Sequence, residues 1–183
     1  MSYWKLAILL LTSCATAPST EQSSANLLDG KPRGGILSGG VEYKFDGVKS
    51  LTVAKGNKEL SIDPKTPSVI ASSSDGKFLI LNYGDGSGQV YSISLYDLAR
   101  GHSIALNSSI STLVQYAKSK NGCAMNADEI SIIFEKSEGP NDIILRTEDF
   151  SRKENCGHVN RLWKLNIAKA SHGSPAITSE QTE

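Results

Sequence analysis

The chain has 183 residues, 39% hydrophobic and 21% charged, a balance that suits one domain with a sizeable core. Lysine plus arginine and aspartate plus glutamate number 19 each, so no net field concentrates nucleic acid or draws the body onto an anionic surface. The longest apolar run near the start, Leu6–Leu11, is far shorter than the roughly 20 residues of a membrane-spanning helix.

In chain order, Met1–Lys5 carries one positive side chain. Leu6–Leu11 is a short apolar core, and Thr12 and Ser13 are small residues before Cys14. This is the layout of a secretory signal, expected to be removed at residue 13. The tetrad Leu11-Thr12-Ser13-Cys14 resembles the lipobox of bacterial lipoproteins. That resemblance implies that Cys14 becomes the first mature residue, carrying a thioether-linked diacylglycerol and an N-acyl chain such as palmitate. Two or three acyl chains, at about 0.8 kcal/mol per buried methylene, hold a protein on a bilayer for long times. The lipid bilayer is therefore an expected partner. Ala15 after the cysteine is similar to lipoproteins sent to the outer membrane, which implies an envelope protein facing the periplasm.

Residues 14–40 read as the lipidated cysteine and a flexible tether. From Ala15 to Gly40 the chain is rich in Ser, Thr, Ala, Pro and Gly, with only Leu27, Leu28, Ile36 and Leu37 to bury. A flexible segment of that length has an end-to-end distance of roughly 30 Å, which would hold the body clear of the headgroups. Residues 171–183 read as a disordered tail.

The body, residues 41–170, is mostly β. Alternation at Val41, Tyr43 and Phe45, at Leu51 and Val53, and at Leu60 and Ile62 predicts short strands with one wet face, ended by Pro64 and Pro67. Val69–Ala71 adds another. The stretch Asp75–Leu98 predicts a hairpin at the centre of the core, with apolar Phe78–Leu81 before the glycine-rich loop Gly84–Gly88 and alternating Val90–Leu98 after it. Ile110, Leu113, Val114 and Ala117 lie at i, i+3, i+4 and i+7, predicting one helix over Asn107–Lys120. Strands resume at Glu129–Glu135, Ile143–Thr147 and Arg161–Ile167. About eight or nine short strands and one short helix favour an antiparallel β-sandwich or small barrel. Ser73–Gly101 resembles one propeller blade, but a body of this size has room for three blades at most, too few to close a propeller.

Cys123 and Cys156 form an even pair in an exported chain and are expected to make a disulfide, closing a loop worth roughly 4 kcal/mol in the chain-entropy model. No metal site is expected, since His158 near Cys156 lacks a second close ligand pair, and no cofactor is implied. In the loop Gly84-Asp85-Gly86-Ser87-Gly88, glycines permit close backbone approach while Asp85, Ser87 and nearby Asn82 offer oxygens too weakly charged for calcium. Asp85, Gly86, Ser87 and Gly88, with Glu138 and Asn141 at the tip Ser137–Asn141, form the candidate binding loops. The three histidines, His102, His158 and His172, have no nucleophile beside them in sequence. Carboxylates such as Glu135, Glu138 and Asp142 read as a wet sheet face.

The hairpin GDGSGQVYSISLY with the downstream DEISIIFEKSEGPNDIILRTEDF resembles the paired hairpins of periplasmic lysozyme inhibitors, although the tip Ser137–Asn141 lacks that family's tyrosine. The expectation is a non-catalytic binding module for a protein or envelope component. Its alternatives are an inhibitor or immunity protein against a cell-wall hydrolase and, further off, an envelope hydrolase.

Overall fold

The computed structural model describes residues 21–63, 67–84, 91–106, 109–115, 130–149, 160–172 and 177–181. In chain order, β1 (Ser24–Asn26) joins a central sheet. It is followed by a first sheet of β2 (Arg33–Leu37), β3 (Val41–Phe45), β4 (Leu51–Lys55) and β5 (Lys58–Ile62). The central sheet continues with β6 (Pro67–Ser72), β7 (Phe78–Gly84), β8 (Tyr91–Asp97) and β9 (His102–Ile104), in the order β1-β6-β7-β8-β9. A third sheet follows, with β10 (Ile130–Glu138), β11 (Asp142–Asp149), β12 (Asn160–Asn166) and β13 (Ile177–Gln181). Every pairing between these described strands is antiparallel.

The three sheets stack in chain order. Leu79 and Leu81 of β7 and Ile70 of β6 pack into one core with Val41, Tyr43, Phe45, Leu51 and Val53 of the first sheet. The alternate residues Phe78, Ile80, Ile93 and Leu95 pack into a second core with Phe134, Ile143, Leu145, Trp163 and Leu165 of the third. A strand whose side chains point alternately to two buried faces must be apolar on both. The expected central hairpin is therefore the middle layer, and Phe78–Asn82 is buried without interruption.

Two of the expected boundaries are corrected. The part of the tether that is described, residues 21–40, belongs to the fold: β1 pairs with β6, β2 pairs with β3, and Leu27 and Leu37 are buried. Two of the glycines that made it read as a linker, Gly34 and Gly35, are there for close packing. A Cβ on Gly34 would lie 2.9 Å from the Tyr43 carbonyl oxygen, and one on Gly35 would lie 3.1 Å from the Tyr43 ring. Likewise the tail contains β13, which pairs with β12 and sets Ile177 against the core. Of the expected helix, residues 109–115 are helical (α1) and Leu113 is buried. A second short helix, α2 (Ile167–Ser171), follows β12, where the Asn166 side chain accepts from the Lys169 N–H at 2.9 Å. Of the two architectures expected, the sandwich is the one that forms, with two interfaces instead of one.

Polar groups buried in such a stack need partners. Asn82 is 1% exposed, and its side-chain amide donates to the carbonyls of Ser92 at 2.7 Å and Ile132 at 3.0 Å. Its side-chain oxygen accepts from the Phe134 N–H at 3.1 Å. It thereby ties β10 of the third sheet to the middle layer. At the other end of the same strands, Ser72 donates to the Ser38 carbonyl at 2.6 Å, and the Ser72 carbonyl accepts from the Ser137 hydroxyl at 3.0 Å. All three sheets are joined through that one residue. Within the third sheet, Trp163 donates to the Thr147 hydroxyl at 2.9 Å.

Asn82→Ala leaves the Ile132 carbonyl and the Phe134 N–H without this partner in the interior, and the partly buried Ser92 carbonyl as well. The expected outcome is a loss of about 3 kcal/mol in denaturant unfolding. Asn57→Ala on an exposed turn should change it by less than about 0.5 kcal/mol.

Candidate functional site

The register places the turns at two ends of the stack. At one end are the 3-10 turn Ser38–Gly40, the β4–β5 turn, the β6–β7 turn around Asp75–Lys77, the β8–β9 turn at Leu98–Gly101 and the β10–β11 tip. At the other are the segment from Leu27 to Pro32, the β3–β4 turn, and Gly84 and Tyr91, which flank the glycine-rich loop.

The first of these is the basic end. The ammonium groups of Lys55 and Lys58 donate to the carbonyls of Asp75 and Ala99, binding the first sheet to the turns of the middle one. Lys77 meets the Asp75 carboxylate at 2.7 Å, and Arg100 lies 3.7 Å from the Asp97 carboxylate. In both pairs the cation stands outward and the anion is recessed: the side chains are 66% and 26% exposed for Lys77 and Asp75, and 59% and 12% for Arg100 and Asp97. Burial pushes the Asp75 carboxyl up, but the Lys77 ammonium, the Lys77 N–H and the Ser73 hydroxyl outweigh it and hold the group below its ordinary range. Between these turns lies an open cleft of about 350 Å³ with Val53, Leu60 and Leu98 in its wall, and Lys55, Lys58 and Arg100 at its rim outnumber Glu59. An ammonium that gives one hydrogen to a carbonyl keeps two for another acceptor. The cleft is suited to an anionic group.

The opposite end is built differently. The Asp46 carboxylate accepts from the N–H groups of Val48, Lys49 and Ser50 at 2.8, 2.9 and 3.0 Å. Those bonds, led by Ser50, hold its pKa below the ordinary value. Asp29 is lowered in the same way, by the Lys31 N–H and by Arg33. The two turns abut, since a Cβ on Gly47 would lie 2.6 Å from the Gly30 carbonyl oxygen. They carry Leu28 and Val48, which are 60% and 68% exposed. Each turn is thus locked by its own aspartate and holds an apolar side chain out in water.

The sequence-predicted residues divide as follows. Cys14, Cys123, Cys156, Asp85, Gly86, Ser87 and Gly88 lie outside the described residues, as does His158. Glu138 and Asn141 are at the basic end, whereas Gly84 and Tyr91 are at the opposite one. Glu138 sits between Lys164 and Lys136, each 3.3 Å away. The Lys164 bond is the chief reason its pKa is lowered, and Lys164 is raised by Asp142 first and Glu138 second. The Asn141 carbonyl accepts from the Ile167 N–H at 2.6 Å. Asn82 is a structural bridge, and His102 is exposed at the start of β9.

Sequence reasoning missed Lys55, Lys58, Lys77 and Arg100, and also Leu28 and Val48. A signal for the cations was present: in Lys55-Gly56, Gly76-Lys77 and Arg100-Gly101 a basic residue stands beside a turn glycine. Among the described residues no group of histidine, cysteine and carboxylate side chains has the spacing of a metal site. No helix there is long and apolar enough to cross a membrane. No protein-family model matches this sequence, and no curated protein or solved structure matches it significantly.

The lowered carboxyls Asp29, Asp46, Asp75 and Glu138 take up fewer protons in the folded than in the unfolded chain. Their stabilisation is present above the ordinary carboxylate range near about pH 4 and disappears as pH falls through their depressed values. Raised Lys164 acts oppositely, stabilising below its ordinary range and losing that effect as pH rises through its folded value. Denaturant midpoints should therefore fall as pH drops below the ordinary carboxylate range at about 4, and Asp46→Asn should make that acid slope shallower.

Proposed function

We propose that this chain is an exported lipoprotein of the cell envelope, anchored through acylated Cys14, whose β body is a non-catalytic module that binds a protein partner. In this reading it occupies the outer membrane on its periplasmic side. The observation that carries it is the pair of water-exposed apolar side chains, Leu28 and Val48, on abutting turns at the end remote from residue 21. Loops on a rigid scaffold commonly carry binding, and turns already held by Asp29 and Asp46 lose little conformational freedom when a partner docks. An apolar residue on such a turn offers a partner dry contact area of the kind found at the centre of interfaces.

The test is a crosslinking pull-down from intact envelopes with the full chain and with Leu28→Asp/Val48→Asp. The expected outcome is one strongly enriched protein whose recovery drops at least about tenfold in the variant, while thermal unfolding of the variant stays unchanged. A cell-wall hydrolase or a toxin as that protein would make the module an inhibitor or immunity protein. Equal recovery with both forms would rule out this surface. Cys14→Ser should abolish acyl labelling in cells.

A further inference from the structure

We propose that the basic end of the stack is a membrane-docking surface that lies on the phosphate headgroups of the bilayer holding the chain; this rests on the reading of Cys14 as the acylated residue. The first observation is where the chain enters the fold. Gln22 N–H donates to the Ile36 carbonyl and Ser38 N–H to the Gln22 carbonyl, both at 3.0 Å, and the Glu21 carboxylate accepts from the Gly40 N–H at 2.8 Å. Gly39 in turn abuts Gly76, whose Cβ would lie 2.6 Å from both the Gly39 carbonyl oxygen and the Lys55 ammonium. Residue 21 is therefore joined, contact by contact, to the cluster of Lys55, Lys58, Lys77 and Arg100.

The second is length. With strands from residue 24 onward, the link from Cys14 to Glu21 is seven residues, which fully extended spans at most about 25 Å. Strands of seven to nine residues make the stack about 23–30 Å long. To turn the opposite end toward the bilayer, that link would have to run fully stretched back along the whole body. The relaxed arrangement puts the basic end against the membrane and sends Leu28 and Val48 away from it.

The third is charge. The chain is neutral as a whole, so attraction depends on how charge is arranged. At this end Lys77 and Arg100 project while Asp75 and Asp97 are recessed beneath them, and Lys55 and Lys58 line the open cleft with donors to spare. The exposed carboxylates Glu21 and Glu59 share this end, so the docking face is the part around Lys77 and Arg100, where an approaching phosphodiester meets the cation of each pair first. At the opposite end the order is reversed in the Asp29–Arg33 pair, where the carboxylate is the more exposed partner, 45% against 32%. Close to an anionic surface each basic residue strengthens attachment by about fivefold.

The test uses the acylated protein reconstituted in vesicles of phosphatidylethanolamine and phosphatidylglycerol, given a brief pulse of an amine-acetylating reagent and read by mass spectrometry. Lys55, Lys58 and Lys77 should be modified at least about fivefold less than in detergent solution, with Lys31, Lys44 and Lys49 at the opposite end unchanged. Equal modification at both ends, or protection of the opposite end, overturns the proposal. A second arm uses the Cys14→Ser chain from residue 14 onward without acyl groups. It should sediment with phosphatidylglycerol vesicles at low salt, be released at high salt, and lose binding by up to about fivefold per residue across Lys55→Ala, Lys58→Ala and Lys77→Ala. Indifference to lipid charge or to these substitutions overturns docking, including the case in which only an acidic envelope protein protects the lysines. Acyl labelling of wild-type protein in cells reads the anchor separately.

Discussion

Everything in this fold follows from a middle sheet that is buried on both faces. Such a sheet can be apolar throughout, but the side chain of Asn82 is not, and it sits at 1% exposure in the longest buried run among the described residues. Its three hydrogen bonds to Ser92, Ile132 and Phe134 offset the cost of burying an amide. They also fix where β10 lands. A hydrophobic face can slide over its neighbour with little change in energy, whereas a buried amide with three directed partners accepts one position. The third sheet is thereby registered on the second, and Ser72 registers the first and third at the far end of the same strands.

That registration separates two kinds of surface. With both broad faces of the middle sheet covered, its exposed chemistry is confined to strand ends. One end collects the cations Lys55, Lys58, Lys77 and Arg100 around a cleft. The other holds Leu28 and Val48 on turns closed by Asp29 and Asp46. The proposed functions assign one end to the bilayer and the other to a partner, an arrangement in which the anchoring chain and the recognition surface do not compete for the same space. The outer face of the third sheet is a charge lattice, with Arg146 between Glu135 and Glu148, and Lys164 between Glu138 and Asp142. Such exposed pairs keep a face soluble more than they stabilise it.

The first sheet reshapes the meaning of the anchor. With residues 21–40 folded, an anchor at Cys14, as proposed, would be separated from the body by seven residues where a long tether was expected, and would hold that body near the headgroups. Gly34 and Gly35 are the hinge of that change. Composition cannot distinguish a glycine that gives freedom from one that makes room, and here the Tyr43 backbone and ring occupy the room.

By itself the sequence determined the β class, the strands from Val41 to Ile167 and the central place of Phe78–Leu81. Period-two alternation and unbroken apolar runs are local properties of a chain, and they survive into the fold because burial rewards them. The basic residues beside turn glycines were readable one at a time, but not as a cluster. Only tertiary structure decided that five turns far apart in the chain share one end, that Glu138 and Gly84 do not, and that polar segments such as β1, β2 and β13 are strands. Edge and outer strands take their order from hydrogen bonds to a neighbour, not from their own side chains, and a neighbour's position is not written in local pattern.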